Sequence, residues 1–443
     1  MILRTTFENI YSFNEETSIS FVAGKGSTHA SHVSRAKKRD DISALKFCVL
    51  YGANASGKSN AIKALSILQQ IAIGHFPKGK FEPFKLGDTI RPISKVEVEF
   101  KTAGHYFAYG VEFSHLGISE EWLYEVNSRT DKLIFERTNY SGTNDYKFGD
   151  ISGDAQTAQF IRFISAGTPN DVSFLSEYIK RNGTGLSMLA TAYRWFANGL
   201  CIIFPDTRYR GISFSAEQDE EFHNRTRELL ELFNTGIIDV RRYPISSKEE
   251  TNLPESVLTE VLDNPTAGRT TVVSSADAKE WFFFEFKDDG TYSILKQKAV
   301  HLNSTKDEVV FEMGLESDGS IRLLDFIPML IDLQHNEKDY VIDELDRSMH
   351  PLLSLKIVQQ YLSKLSEDID TQLIISTHEC NLLDLKLLRS DEVWFIEKNR
   401  ANASEPVSLA EYKPREDVQK GYLQGRYGAI PFFADIKILT EQP

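Results

Sequence analysis

The chain has 443 residues, 41% of them hydrophobic and 26% charged, with a formal net charge of −14. That size holds two or three cores and excludes a single small domain, while the acidic balance excludes a broadly basic nucleic-acid-binding surface and leaves room only for a local basic groove. No apolar run approaches the roughly 18 residues of a membrane span, and no secretory leader is expected, because residues 1–9 alternate like a strand and reach Glu8 at once.

In chain order, residues 1–22 read as two strands around Asn14, Glu15 and Glu16, with Phe7, Ile10, Phe13, Ile19 and Phe21 as β-formers. Residues 23–44 are a polar loop or flap. Their basic cluster, Arg35-Ala36-Lys37-Lys38-Arg39, reads as solvated. Phe47–Tyr51 is a short apolar run of the kind that fills a buried strand, and it leads into Gly52-Ala53-Asn54-Ala55-Ser56-Gly57-Lys58-Ser59. Ala61, Ile62, Ala64, Leu65 and Leu68 then recur at helical spacing. Residues 90–150 alternate as the strands of an antiparallel lobe. Residues 150–215 mix short helices and turns, 216–233 are acidic with a helical period, and 246–279 are polar, punctuated by Pro254 and Pro265. Trp281–Phe286 reads as a buried strand re-entering the head, followed by the hairpin signal Asp288-Asp289-Gly290. No heptad pattern is sustained, so a long coiled coil is not expected. Cys48, Cys201 and Cys380 are widely spaced and odd in number, which indicates neither a disulfide framework nor a zinc site and implies a reduced, cytoplasmic setting.

The strand, glycine loop and helix form a phosphate cradle. Gly-x4-Gly-Lys-Ser turns backbone N–H groups inward at a helix start, where the dipole also favours anions. Gly52, Asn54, Ala55, Ser56, Gly57, Lys58, Ser59 and Asn60 are therefore the candidate nucleotide-binding residues of this loop. Lys58 is placed on the β- and γ-phosphates and Ser59 on Mg²⁺. A second apolar strand ends in Asp343-Glu344, giving Asp343 to the metal and Glu344 to the water as general base. A third, residues 372–376, runs into Ser376-Thr377-His378, and His378 is placed to sense the γ-phosphate.

Lys58 and Asp343 lie near opposite ends of the chain, so one sheet must be built from both ends around a large insertion. The expected fold is an α/β P-loop NTPase of ABC type, a mixed sheet with an antiparallel β lobe. Its head comes from residues 1–149 and 280–443 and its mostly helical insertion from residues 150–279. Upstream of the acid pair, Ser317-Asp318-Gly319-Ser320 opens a helix, where small residues make an anion site. Ser317, Gly319 and Ser320 are assigned to the nucleotide of a second copy, which implies a head-to-tail dimer; Ser and Asp suit a plain helix cap equally.

The segments GANASGKSN at 52–60, ESDGSIRLLDFIP at 316–328, VIDELDRSMHP at 341–351, ISTHE at 375–379 and LQGRYGAIP at 423–431 resemble those of ABC-type ATPases from bacterial phage-defence and abortive-infection systems. These are relatives of the ATPase half of OLD-family nucleases and, more distantly, of SMC-type heads; the ATPase subunit of the PARIS defence system is one member of that kind. The resemblance covers both ends of the chain and little of its middle. It implies that Asp346 and His350 lie in a loop crossing between two ATP sites. Asp318 departs from the glycine that transport ATPases carry there. No glutamine loop is identified, since Gln69 and Gln70 fall in the helix after the phosphate loop.

Three functions compete: a defence or genome-surveillance ATPase coupled to a separate effector, a self-contained nuclease, and a transporter motor. The stretch after His378 is shorter than an OLD-type nuclease domain of about 100 residues, and Asp368-Ile369-Asp370 precedes a strand and reads as a solvated loop. The long insertion and the altered signature disfavour transport. The expectation is thus an ATP- and Mg²⁺-dependent homodimer or higher oligomer that holds or releases an effector, a nuclease by preference. A DNA-repair role acting on nucleic acid is the alternative.

Overall fold

The computed structural model describes residues 1–35, 41–127, 129–140, 142–149, 155–183, 186–209, 212–263, 269–333, 338–366, 370–414 and 417–428. Residues 36–39 of the basic cluster, Pro265, Asp368, Ile369 and residues 429–431 of the closing motif lie outside them. The chain forms two units. The first comprises Met1–Pro205, Asn336–Leu345 and Leu362–Pro443; the second comprises Asp206–His335 and Asp346–Tyr361.

The first unit contains a six-stranded sheet in the order Leu200–Ile203, Asp339–Ile342, Gln372–Ser376, Phe47–Tyr51, Val393–Lys398, Ser404–Ser408. The first five strands run parallel and the last is antiparallel. Every residue of Phe47–Tyr51 and Gln372–Ser376 is buried, as befits parallel strands covered on both faces. Register places Cys48 beside Ile374 and Ile374 beside Val341. Because these strands are parallel, Tyr51, Ile342 and Ser376 end at one rim and deliver the following residues to it.

A seven-stranded antiparallel sheet accompanies it, running Thr143–Phe148, Lys132–Tyr140, Gly117–Glu125, His105–Ser114, Ser94–Thr102, Ile2–Glu8, Thr17–Ser20. The lobe expected between residues 90 and 150 is therefore present, extended by the first two strands of the chain. The helix Lys58–Ala72 shares one apolar core with both sheets: Ala61, Ile62, Leu65 and Leu68 join Phe7, Ile19, Val96 and Val98 from one and Leu50, Val341 and Ile374 from the other. Burying such a side chain stabilises by about 1.5–3 kcal/mol, so this helix is held by packing along most of its length. Gln69 donates from Nε2 to the carbonyls of Phe196 and Leu200, a bracing role that accounts for its position away from any metal shell.

The second unit has a five-stranded antiparallel sheet in the order Asp239–Pro244, Tyr292–Leu302, Trp281–Phe286, Thr270–Ser274, with Glu308–Glu312 also on Tyr292–Leu302. Phe282, Phe284, Phe286, Ile294, Leu253 and Leu258 form a core of its own. Trp281–Phe286 thus builds this sheet and not the six-stranded one. An uninterrupted apolar run announces a buried strand without saying in which sheet. The hairpin signal holds: Gly290 takes φ 82° and Lys287 N–H bonds to the Thr291 carbonyl at 2.9 Å. The expected boundary at residue 149 also differs from the division between units, which falls after Pro205. Helices Ala155–Gly167, Phe174–Lys180 and Ser187–Arg194 belong to the first unit. Buried Glu121 of the antiparallel lobe accepts the N–H groups of Phe174 and Leu175 at 2.8 and 3.2 Å, and Arg137 donates to the carbonyls of Pro169 and Val172. These contacts tie the helices to the lobe.

Candidate functional site

Between Phe47–Tyr51 and the helix Lys58–Ala72 the chain makes a tight loop. Its path depends on two glycines. A Cβ at Gly52 would lie 2.4 Å from both the Ile396 carbonyl and Ser56 Oγ; one at Gly57 would lie 2.2 Å from Ser404 Oγ and 2.8 Å from Ser12 Oγ. Gly57 also takes φ 120°, which side chains rarely adopt. It stands at the helix N-cap with no side-chain bond to the helix N–H groups, leaving that end disposed towards an anion. Ser56 Oγ is buried without a hydrogen-bond partner among the described residues, an arrangement a phosphate oxygen would satisfy. Lys58 is 6% exposed, and its ammonium donates to the carbonyls of Gly52 at 2.8 Å and Ala53 at 3.2 Å. Asn54 and Ala55 are exposed on the loop, with Ala55 left-handed at φ 63°. Asn60, grouped by sequence with the nucleotide contacts, donates from Nδ2 to Ser12 Oγ at 2.9 Å.

The acid pair arrives beside this loop. Asp343 is 2% exposed, and its Oδ1 accepts from Ser59 Oγ at 3.0 Å and from Ser376 Oγ at 2.6 Å. A serine hydroxyl and a carboxylate oxygen side by side suit a small hard cation that takes its remaining ligands from phosphate and water. Among the described residues no group of three or more His, Cys, Asp or Glu side chains could hold a metal unaided. Glu344 is half-buried and left-handed at φ 52°, a conformation costing about 1 kcal/mol or more in a residue with a side chain. Its N–H donates to Ser376 Oγ at 2.8 Å. One hydroxyl therefore fixes both acids, donating to the first and accepting from the backbone of the second. The Leu345 N–H bonds to the Ser376 carbonyl at 3.0 Å, continuing the pairing past the strand end.

His378 is exposed just beyond the middle of these three strands. Its loop is fastened to the phosphate-loop strand on both sides: Thr377 N–H donates to the Leu50 carbonyl at 3.2 Å, and Tyr51 OH donates to the Glu379 carbonyl at 2.9 Å. Lys58, Ser59, Asp343, Glu344 and His378 thus share one rim of one sheet.

Ser317, Gly319 and Ser320 belong to the second unit. Ser317 is exposed at the N-cap of Asp318–Asp332, and its Oγ accepts the Ser320 N–H at 3.1 Å. Asp318 pairs with Lys279 at 2.9 Å, and that hydrogen bond holds its carboxyl below the usual range. A Cβ at Gly319 would lie 2.9 Å from the Ser348 carbonyl, so only glycine lets this helix start pass the loop after the acid pair. The sequence's cap reading is realised, and the hydroxyls remain at the surface.

A family model described as "AAA domain, putative AbiEii toxin, Type IV TA system" matches residues 47–384. The chain belongs to this family. With its phosphate loop on a parallel sheet and its antiparallel lobe, it has the fold of an ABC-type ATPase. No curated protein matches the sequence. It is similar to the solved SMC head domain from Thermotoga maritima, at 14% identity and TM-score 0.40, covering 92% of this chain and 98% of that one. It is also similar to an SMC head solved bound to the C-winged helix domain of ScpA, at 13% identity and TM-score 0.42, covering 93% and 99%.

In this AAA-family chain, three serines went unassigned in the sequence. Ser376 was visible only as part of a strand end. Ser12 and Ser404 lie far apart along the chain, yet Ser404 Oγ contacts the Ser56 carbonyl and stands 2.8 Å from Ser12 Oγ, forming the floor on which Gly57 rests. No local pattern marks such residues. Asp370, read as solvated, is instead half-buried against Lys101 at 2.8 Å, an ion pair that lowers its carboxyl below the usual range despite burial. No helix among the described residues is long and apolar enough to cross a membrane.

Proposed function

We propose that this chain binds and hydrolyses ATP with Mg²⁺ at the rim formed by Lys58, Ser59, Asp343, Glu344 and His378. The observation that carries the reading is the cluster in which Ser59 and Ser376 both bond Asp343 Oδ1 while Ser376 holds the Glu344 backbone. Lys58 exchanges its loop carbonyls for β- and γ-phosphate oxygens, and the loop N–H groups complete the cradle. Ser59 and Asp343 hold the cation, which supplies charge neutralisation to the phosphates. Glu344 orients the attacking water and takes its proton; His378 reads the γ-phosphate from the neighbouring strand.

Ser317, Gly319 and Ser320 serve the nucleotide of a second copy, so that two chains close head to tail around two ATP molecules. The surface position of Ser317 at a helix N-terminus supports this role. Closure and hydrolysis hold or release a separate effector, a nuclease by preference, in a bacterial anti-phage system. The family's description as a putative toxin of a type IV TA system supports a defence role over transport.

The test is Glu344→Gln. It should keep ATP affinity within a few-fold, lower phosphate release by at least about 100-fold, and accumulate a dimer when ATP is added. Wild-type turnover by this variant would remove Glu344 from the catalytic role. Lys58→Ala should abolish nucleotide binding, read by equilibrium titration with a fluorescent ATP analogue.

A further inference from the structure

The second unit carries a feature that the nucleotide site does not use. Strand Glu308–Glu312 pairs along one side with Tyr292–Leu302, from Lys298↔Glu312 to Leu302↔Glu308. Trp281–Phe286 reaches only as far as Lys296, and Asp239–Pro244, on the other side, stops at Val300. The end of this ladder is therefore a two-stranded ribbon, and the outer edge of Glu308–Glu312 has no strand partner among the described residues. Val309, Val310 and Phe311 are 36%, 40% and 41% exposed. Successive strand residues point to opposite faces, so partly exposed apolar side chains stand on both faces of this edge strand, although Ala299 and Val300, paired with Phe311 and Val310, are fully buried. Leu302, opposite Glu308, is also exposed.

Exposed edges are ordinarily blunted by outward charges, proline or a bulge, and an isolated ribbon is marginal in water. Here both acids of Glu-Val-Val-Phe-Glu are held by cations of their own sheet. Glu308 receives both Arg241 nitrogens at 2.6 and 2.9 Å, while Glu312 receives Lys296 at 2.8 Å and Lys298 at 2.6 Å. What remains facing outward is apolar and ready to pair.

We propose that Glu308–Glu312 is an interface in its own right, pairing antiparallel with the same strand of a second copy. The sequence is self-complementary about Val310. Val310 meets Val310, Val309 meets Phe311, and Glu308 meets Glu312. At each end the two facing acids, Glu280, which shares Lys296 at 2.9 Å, and Asp239, which shares Arg241 at 2.8 Å, are met by Arg241, Lys296 and Lys298, with Arg227 also acting on Glu308. Charge therefore matches where two like acids would otherwise repel. A palindromic edge closes as a two-fold pair and does not propagate. None of these residues belongs to the nucleotide site, so this pairing is independent of the ATP-dependent closure proposed above.

The experiment uses the full chain without nucleotide. Light scattering after size exclusion should give twice the 50.3 kDa chain mass, falling to the single-chain mass for Val310→Lys. Nucleotide binding should be unchanged in that variant. On mild oxidation Val310→Cys should form a covalent dimer, because residues facing each other across an antiparallel pair lie about 4.5–5.5 Å apart at Cα, within disulfide range. Wild type and Lys306→Cys, at the hairpin tip, should not. A single-chain mass for nucleotide-free wild type would overturn the proposal, as would a doubled mass that Val310→Lys leaves intact. Equal cross-linking at positions 306 and 310 would do the same.

Discussion

Ser376→Ala isolates the contribution of one hydroxyl to the acid pair. The side chain is fully buried; its Oγ donates to Asp343 Oδ1 at 2.6 Å and accepts the Glu344 N–H at 2.8 Å. A hydrogen bond to a charged group is worth about 1.5–3 kcal/mol, so folded-state stability should fall by roughly 2 kcal/mol. The larger consequence is positional. Glu344 sits in a left-handed conformation that its surroundings must impose, and the Ser376 bond is one of those constraints. Releasing it should lower turnover at saturating ATP about 10- to 100-fold, equivalent to roughly 1.4–2.7 kcal/mol at about 1.36 kcal/mol per decade. The phosphate loop is untouched, so ATP affinity should move less than about three-fold, well under 1 kcal/mol. Phosphate release and fluorescent-nucleotide titration on the same preparation separate the two quantities. Wild-type turnover would refute the positioning role, and so would a loss of turnover matched by an equal loss of binding.

Gly57→Ala should abolish ATP binding in the same titration and lower the melting temperature, since its Cβ would lie 2.2 Å from Ser404 Oγ at a φ of 120°. Relief of that clash in Gly57→Ala/Ser404→Ala should restore part of the stability but not the strained φ. Burial pushes the Asp325 carboxyl up from 3.8 to about 6, against the opposing pull of the Tyr209 N–H and of Arg208 and Arg322. With the folded value above the unfolded one, the native state binds the extra proton between about pH 4 and 6. Asp325 therefore makes stability fall as pH rises through that window, with a cost that persists above it. Denaturant titrations of Asp325→Asn at pH 4, 5, 6 and 7 should show a shallower fall than wild type; parallel profiles would remove this assignment.

The middle of the chain was the least legible part. The glycine loop, the acid pair and the histidine strand could be read from sequence because each is contiguous: an apolar strand followed at once by the candidate site residues. The antiparallel lobe was equally open, since Val96, Val98, Phe100 and their neighbours alternate with polar residues over several strands. Trp281–Phe286 carried no such information, because a strand apolar on every residue fits any buried sheet. The strand Leu200–Ile203, which flanks the acid-pair strand in parallel, was hidden for a related reason: four residues are too few to show a period.

By itself the sequence determined where the glycine loop and the acid pair lie, because backbone path and side-chain chemistry there are set within a few positions by glycine, lysine and a strand end. Only the tertiary structure decided that Ser376 clamps both acids, that Ser12 and Ser404 floor the glycine loop, and that the five-stranded sheet stands in its own unit. Those outcomes depend on which distant segments pack together, and hydrophobic burial, being non-directional, writes no local pattern that names its partner.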